Sequence, residues 1–244
     1  MANRFSYTEY KNIINLVRYS LPIVDYKEAK NKDKFCVVRH DIEYSIDRAL
    51  KLARIETNEL GISTTYCVQL KNNIYNAISH KNIKKIREIK SLGHYIALHQ
   101  NLYNRTEDVE QYTLKDIETL ENYYEFKIDR FSYHKPKSEH LKEYIKIPGK
   151  INCNAYEFFH YFEGREPKKL RVNYLADSNH QWKWGDPIYL DYSKVDKLQL
   201  NMHPYSWSEK GLDNIRNTSE VIKERNKELV KSMSEIKTFP KEFL

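Results

Sequence analysis

Four histidines of this chain stand directly after short apolar runs, and a carboxylate adjoins the first of them. The segments are Val38-Arg39-His40-Asp41, Ala97-Leu98-His99, Ser132-Tyr133-His134 and Asn201-Met202-His203. Imidazole and carboxylate groups are ligands for Zn²⁺, Fe²⁺, Co²⁺, Mn²⁺ and Ni²⁺. Such an ion lowers the pKa of a bound water toward ~7 and polarises a carbonyl group. These residue types therefore predict metal-assisted hydrolysis, provided that the fold brings them together.

The elements that must position these residues alternate between strand and helix. Phe35-Cys36-Val37-Val38 is a continuous apolar run, typical of a strand buried on both faces. Further strands are expected at residues 64–70, 95–98, 130–133, 152–158, 172–175 and 198–202, and helices at 45–60, 82–92, 108–124 and 211–236. This order predicts a mainly parallel α/β sheet. About seven strands in a single domain, residues 1–244, favour a (β/α) barrel over an open sheet.

In parallel α/β folds, the carboxyl ends of the strands form the active-site face. The four histidines and Asp41 are therefore expected to line one cleft. Asp41 and Glu43 are candidates for base or ligand, and His203 for the acid that protonates a departing amine. His40 is a further catalytic candidate. The alternative for His40 and Asp41 is a hydrogen-bonded pair that caps the following helix.

Composition narrows the partners and the compartment. The net charge of +7 and the pI near 9.0 permit nucleic acid, an anionic membrane surface or a phosphorylated substrate as partner. Nucleic acid is not expected, because the lysines are scattered as on solvated helix faces and no recognition motif is present. Buried free thiols are expected at Cys36 and Cys67, which lie in apolar runs without a C-x-x-C pair. With no apolar leader and no transmembrane stretch, a cytoplasmic location is expected.

Five motifs, in this order, resemble those of the polysaccharide deacetylase family, the NodB-homology or carbohydrate esterase 4-like proteins. They are Arg39-His40-Asp41-Ile42-Glu43, Gly93-His94-Tyr95-Ile96-Ala97-Leu98-His99, Phe131-Ser132-Tyr133-His134-Lys135-Pro136, Tyr174-Leu175-Ala176-Asp177-Ser178 with Trp182, and Leu200-Asn201-Met202-His203-Pro204 with Trp207. The first motif is similar to that of a divergent bacterial subgroup, in which it reads R-H-D-x-D. The resemblance covers about residues 35 to 207.

This resemblance implies a distorted (β/α)₇ barrel that binds a divalent metal and removes an N-acyl group, acetyl or formyl, from an amino sugar. Zn²⁺ is the expected metal, with Fe²⁺, Co²⁺, Mn²⁺ or Ni²⁺ as alternatives. By motif position, Asp41 is base or ligand, His99 a metal ligand and His203 the acid. The residues expected to bind substrate are Arg39, Tyr103, Asp177, Trp182 and Trp207.

Two positions depart from the family pattern. Glu43 occupies the place of a second aspartate in the first motif. The second metal histidine, four residues after the first, is replaced by Tyr103, and a tyrosine is a poor ligand for these metals at neutral pH. His134 at the next strand end is expected to take over, which gives a predicted metal set of Asp41, Glu43, His99 and His134.

These expectations describe a metal-dependent carbohydrate N-deacetylase or deformylase of bacterial surface-polysaccharide synthesis. Its substrate is an amino sugar, free or linked to a nucleotide or lipid. The alternative is a degenerate, non-catalytic barrel of the same family that binds a glycan or a protein partner, as the residues Glu43 and Tyr103 suggest.

Overall fold

A computed structural model describes residues 3–103, 105, 107–137, 141, 146–155, 157–158, 172–238, 240 and 242. Within these residues the strands are β1 Phe35–Ile42, β2 Thr65–Val68, β3 Tyr95–Asn101, β4 Arg130–His134, β5 Ile151–Asn152, β6 Asn173–Ala176 and β7 Lys197–Met202. The α-helices are α1 Tyr7–Ser20, α2 Tyr26–Ala29, α3 Ile46–Ile55, α4 His80–Ser91, α5 Val109–Tyr124 and α6 Asn214–Ser234.

The seven strands form one parallel sheet in the order β5-β4-β3-β2-β1-β7-β6. The sheet curls, since the amide of Gln199 in β7 donates to the carbonyl oxygen of Phe158 beyond β5, at 2.8 Å. Among the described residues the two edge strands β5 and β6 do not pair, so the barrel is open there. The predicted fold class, a distorted seven-stranded α/β barrel, is confirmed.

Local sequence explains where the helix after β1 begins and ends. Ser45 caps it by accepting a hydrogen bond from the backbone N–H of Arg48 at 3.2 Å. The helix continues as a π-helical turn, Glu56–Leu60, and stops at Gly61, whose φ of 63° is left-handed. The helix expected at residues 45–60 is thus present, but its last turn is wider than an α-helix.

The sequence patterns missed or misplaced some elements. Helices α1 and α2, which precede β1, were not anticipated. The strand expected at residues 152–158 stops at Asn152, because the chain turns there and the N–H of Ala155 donates back to the carbonyl of Asn152 at 2.9 Å. The C-terminal helix is shorter than expected and begins after its cap, Asp213.

Apolar side chains fill both sides of the sheet. The interior of the barrel holds Tyr26, Phe35, Val37 and Phe158, together with smaller side chains. Two larger clusters lie outside, between the sheet and the helices. All three cysteines are buried and unpaired, as expected for Cys36 and Cys67. No helix among the described residues has the length and apolar character needed to cross a membrane.

Candidate active site

The pleat of β1 sends alternate side chains to opposite sides of the sheet. Arg39 and Asp41 project into the barrel, where both contact Asn201 of β7. His40 projects outward and reaches Glu56 and Tyr10 beneath the helices. Of the first motif, the structure therefore brings Arg39 and Asp41 to the barrel interior and places His40 on the other side.

Asp41 is a buried carboxylate that is held through one of its two oxygens. Its Oδ2 accepts hydrogen bonds from Arg39 Nη2 and Asn201 Nδ2, each at 2.9 Å, and lies 3.7 Å from His99 Nε2. Burial favours the neutral acid, but the charge of Arg39 outweighs it and holds the pKa of Asp41 well below its usual range. Its Oδ1 is buried and has no partner in the described part of the chain. Asp41 is therefore an ionised base with one free oxygen.

Above Asp41, the ends of three strands bring Glu43, His99 and His134 together, with donor atoms that all lie within 4.8 Å of one another. His134 Nδ1 is 3.3 Å from His99 Nε2 and 3.1 Å from Glu43 Oε1. Burial lowers the pKa of His99 to about 4, so its imidazole is neutral at pH 7 and offers a lone pair. The hydrogen bond from His134 helps lower the pKa of Glu43 against the effect of burial.

This donor set fits a divalent metal. Two ligand atoms in tetrahedral positions at ~2.0–2.1 Å from Zn²⁺ are separated by about 3.3 Å. The two separations at His134 have that size. Two imidazoles and one carboxylate are also a set that leaves a coordination position for water or substrate. Asp41, which was also expected among the ligands, is not part of this group of three, although its Oδ2 lies 3.7 Å from His99 Nε2.

Ser132 orients one of the imidazoles. Its hydroxyl lies 2.8 Å from His99 Nδ1, so the Nδ1–H can donate to it and Nε2 is left to face the cluster. Ser132 is on β4, two residues before His134, and so shares the inward face of that strand.

Loss of the Ser132 hydroxyl is expected to weaken metal binding. In Ser132→Ala, we expect the affinity for Zn²⁺ to fall by about 10- to 100-fold, the range typical of lost partners of metal-bound histidines. Competition with a chromophoric chelator measures it. Ser193→Ala, at an exposed turn, is the control. Equal affinities in the two variants would show that Ser132 does not orient His99.

His203 lies next to the three-residue cluster of Glu43, His99 and His134. Its Nδ1 is 2.6 Å from Asp177 Oδ1, and its Nε2 is 3.9 Å from Glu43 Oε1. Burial disfavours the imidazolium, but the hydrogen bond and charge of Asp177 prevail and raise the pKa of His203 to about 9. Asp177 is itself fixed by the indole N–H of Trp207, which donates to Oδ2 at 2.8 Å. His203 is therefore a protonated group whose Nε2 is turned toward Glu43 by a buried carboxylate.

Other predicted site residues take different places. Arg39 is buried and holds Asp41, and Trp207 is fully buried against Asp177, so neither offers an open surface to a sugar. Trp182 packs on the core near Trp207, with ring centroids 6.3 Å apart. Tyr103 is 60% exposed and lies with residues 70–76 and Arg225 around a cavity of about 430 Å³.

His40 belongs to a buried polar network around Glu56. The Glu56 carboxylate accepts from the hydroxyls of Tyr10 and Tyr66, both at 2.5 Å, and of Thr64 at 2.8 Å. His40 Nε2 is 2.9 Å from it. This network joins β1 and β2 to helices α1 and α3 outside the barrel.

Two residues that hold the site were not singled out from the sequence. Ser132 and Asn201 each stand two residues before a strand-end histidine, in the segments Ser132-Tyr133-His134 and Asn201-Met202-His203. Because strand side chains repeat with a period of two, a polar residue at this spacing shares the inward face with the histidine. That spacing could have identified both.

No protein-family model matches the chain, and no curated protein matches it by sequence. Solved structures do match. A protein from Bordetella bronchiseptica, assigned as a polysaccharide deacetylase involved in O-antigen biosynthesis, is 14% identical with a TM-score of 0.44, over 83% of this chain and 84% of its own. A family 4 acetyl xylan esterase from Clostridium thermocellum, in complex with a cobalt ion, is 12% identical with a TM-score of 0.41, over 78% and 84%.

A carbohydrate esterase 4 family pseudoenzyme from Bacillus anthracis is 10% identical with a TM-score of 0.44, over 81% of this chain and 62% of its own. Because every identity is below 15% and every TM-score below 0.5, the chemistry of this chain has to be argued from its own residues.

Proposed function

We propose that this protein is a metal-dependent hydrolase of the polysaccharide deacetylase family that removes an N-acyl group, acetyl or formyl, from an amino sugar. One observation carries the proposal. An ionised Asp41 and a protonated His203 both lie next to the ligand set Glu43, His99 and His134, with Asp41 Oδ2 3.7 Å from His99 Nε2 and His203 Nε2 3.9 Å from Glu43 Oε1. Amide hydrolysis needs these parts, an activated water and a proton for the leaving nitrogen.

Each group has a defined task in this proposal. A metal held by Glu43, His99 and His134 would supply Lewis acidity and a water of lowered pKa. Asp41 takes the proton of the attacking water through its free Oδ1. His203 gives its Nε2 proton to the amine as the C–N bond breaks. Asp177 keeps that imidazole charged and its Nε2 turned toward the ligand set.

The role of Asp177 predicts a change in pH dependence. Asp177→Asn removes the negative charge beside His203, so the imidazolium is less stabilised and its pKa falls. We expect the alkaline limb of the kcat/KM profile to move to lower pH by roughly 1–2 units. Asp191→Asn, which removes an exposed carboxylate paired with Lys194, is the control. If the alkaline limb of the kcat/KM profile does not move in Asp177→Asn, His203 is not the acid.

The substrate proposal extends to its context. We place the amino sugar in bacterial surface-polysaccharide synthesis, and the net charge of +7 suits a sugar carried on a phosphate, as in nucleotide- or lipid-linked forms. The cytoplasm is the proposed compartment.

Metal analysis and acyl release test the function together. Protein purified without chelator is analysed for bound metals, and acetate and formate are measured after incubation with N-acetylated and N-formylated amino sugars. We expect about one divalent ion per chain and release of one of the two acids, both abolished by chelator. Bound metal and bound sugar without acid release would favour the non-catalytic barrel, and the absence of metal would contradict the proposed mechanism.

A further inference from the structure

Gln69 stands beside the three-residue cluster of Glu43, His99 and His134 but has no task in the mechanism above. It is the first residue after β2. Since Val68 pairs with both Ile42 of β1 and Leu98 of β3, Gln69 comes level with Glu43 and His99. It is only 4% exposed. Its side chain follows Thr65 and Cys67 in the alternation that points into the barrel, so it lies at the mouth between two proposed ligands.

The orientation of the Gln69 amide is fixed by its neighbour Asn72. The Asn72 oxygen accepts hydrogen bonds from the backbone N–H groups of Ile74 and Tyr75, at 2.6 and 3.1 Å. Its nitrogen must then point the other way, where it donates to the Glu43 carbonyl oxygen at 2.9 Å and to Gln69 Oε1 at 2.8 Å. Because Asn72 presents a donor, Gln69 must present its oxygen to it, and Nε2 is turned elsewhere.

Gln69 Nε2 is buried and, among the residues that the structure describes, has no hydrogen-bond acceptor. A buried donor without an acceptor costs free energy, and most such groups in folded proteins are paired. The side chain is held rigidly at its other end, so it cannot turn to find a partner. A donor fixed in this way between Glu43 and His99 is suited to an acceptor that arrives with a ligand.

We propose that Gln69 donates a hydrogen bond through Nε2 to the acyl carbonyl oxygen of the substrate. The inference rests on the proposed function. When the water oxygen bonds to the carbonyl carbon, the π electron pair moves to the carbonyl oxygen, and the Gln69 N–H stabilises the resulting negative charge. The pair then re-forms the C=O bond, the C–N bond breaks, and the nitrogen takes its proton from His203.

Kinetics of Gln69→Met provide the first test. Methionine keeps the length of the side chain and removes the donor. We expect kcat to fall by about 10- to 100-fold with KM changed less than about threefold, because the donor acts on the charge that develops in the transition state. The matched control is Gln100→Met, since Gln100 is equally buried next to His99 but faces outward and donates to Asp116 at 3.2 Å. Its kcat should stay within about twofold of the wild type.

Binding of acetate to the zinc-loaded protein tests the contact without turnover. We expect Gln69→Met to bind acetate about tenfold more weakly than wild type and Gln100→Met, with an unchanged affinity for Zn²⁺ in both variants. If the protein shows this acetate result but hydrolyses no amide, the contact between Gln69 and a bound acyl group is supported and the proposed hydrolase function is contradicted. Normal kcat in an active Gln69→Met, equal acetate affinity, or no acetate binding by the wild type would each overturn the inference.

Discussion

Replacing His134 by alanine is expected to lower the affinity for Zn²⁺ by more than ~100-fold and to abolish acyl release at ordinary metal concentrations. His134 Nδ1 is the atom that joins the cluster, at 3.3 Å from His99 Nε2 and 3.1 Å from Glu43 Oε1. Loss of a group that only orients a metal ligand already lowers the metal affinity by about 10- to 100-fold, so loss of a ligand itself should lower it further. Chelator competition measures the affinity, and acetate or formate release measures the activity.

Tyr103→Ala is the matched control for His134→Ala. Tyr103 occupies the sequence position of the family's second metal histidine, but it is an exposed residue with a left-handed φ of 51° and lines the cavity formed with residues 70–76 and Arg225. We expect its zinc affinity to equal that of the wild type. If Tyr103→Ala lost zinc while His134→Ala kept it, the assignment of the ligand set would have to be reversed.

Replacing Glu56 by alanine is expected to lower the free energy of unfolding by about 4–5 kcal/mol. The change leaves three hydroxyl donors and the imidazole of His40 without their shared acceptor in a fully buried place. Breaking one buried charged pair costs about 3–5 kcal/mol, and native stability is only about 5–15 kcal/mol. The loss is therefore large enough to leave part of the protein unfolded at 25 °C, as urea titration would show.

Two further variants make this prediction decisive. Glu56→Gln keeps the shape and one acceptor oxygen, so we expect a smaller loss of about 2–3 kcal/mol. Glu59→Ala, in the same π-helical turn, removes only the surface pair with Lys11 at 2.9 Å and should cost less than ~1 kcal/mol. Equal losses for Glu56→Ala and Glu59→Ala would show that the network does not stabilise the fold.

The pH dependence of the free energy of unfolding provides a further test of the Glu56 network. Despite burial, the charge and hydrogen bond of His40 lower the pKa of Glu56 from 4.5 to about 2. A carboxylate whose pKa is depressed by folding stabilises the fold above the unfolded pKa and loses this effect as the pH falls through the folded one. The stability difference between wild type and Glu56→Gln should therefore be large at pH 7 and shrink as the pH falls from about 4.5 to 2.

The barrel could be predicted from the sequence because the apolar runs of the strands and the apolar faces of the helices are local properties of the chain. They also located the strand ends, and with them Asp41, His99, His134 and His203. The network around Glu56 could not be foreseen in this way. Its partners come from α1, β1 and β2, with Tyr10 lying 46 residues away in the chain, and nothing local marks a glutamate as buried.

The outward direction of His40, unlike the network around Glu56, follows from the strand pattern of the sequence. The period of two along a strand separates it from Arg39 and Asp41 as soon as one of them is taken to face the barrel. What the alternation does not give is the partner, since Glu56 follows in a π-helical turn whose geometry the helical pattern of residues 45–60 does not reveal. Tertiary contacts decide such a position, and only coordinates supply them.

The pleat of β1 has a consequence for how this protein can vary. Arg39 and Asp41 serve the reacting groups inside the barrel, while His40 between them serves the packing of helices outside. Three consecutive residues thus meet two unrelated requirements. In a library of variants, substitutions of His40 should reduce the amount of protein that accumulates in cells and leave the turnover of each folded molecule nearly intact. Substitutions of Asp41 should reduce both, because they also leave the buried charge of Arg39 without its partner.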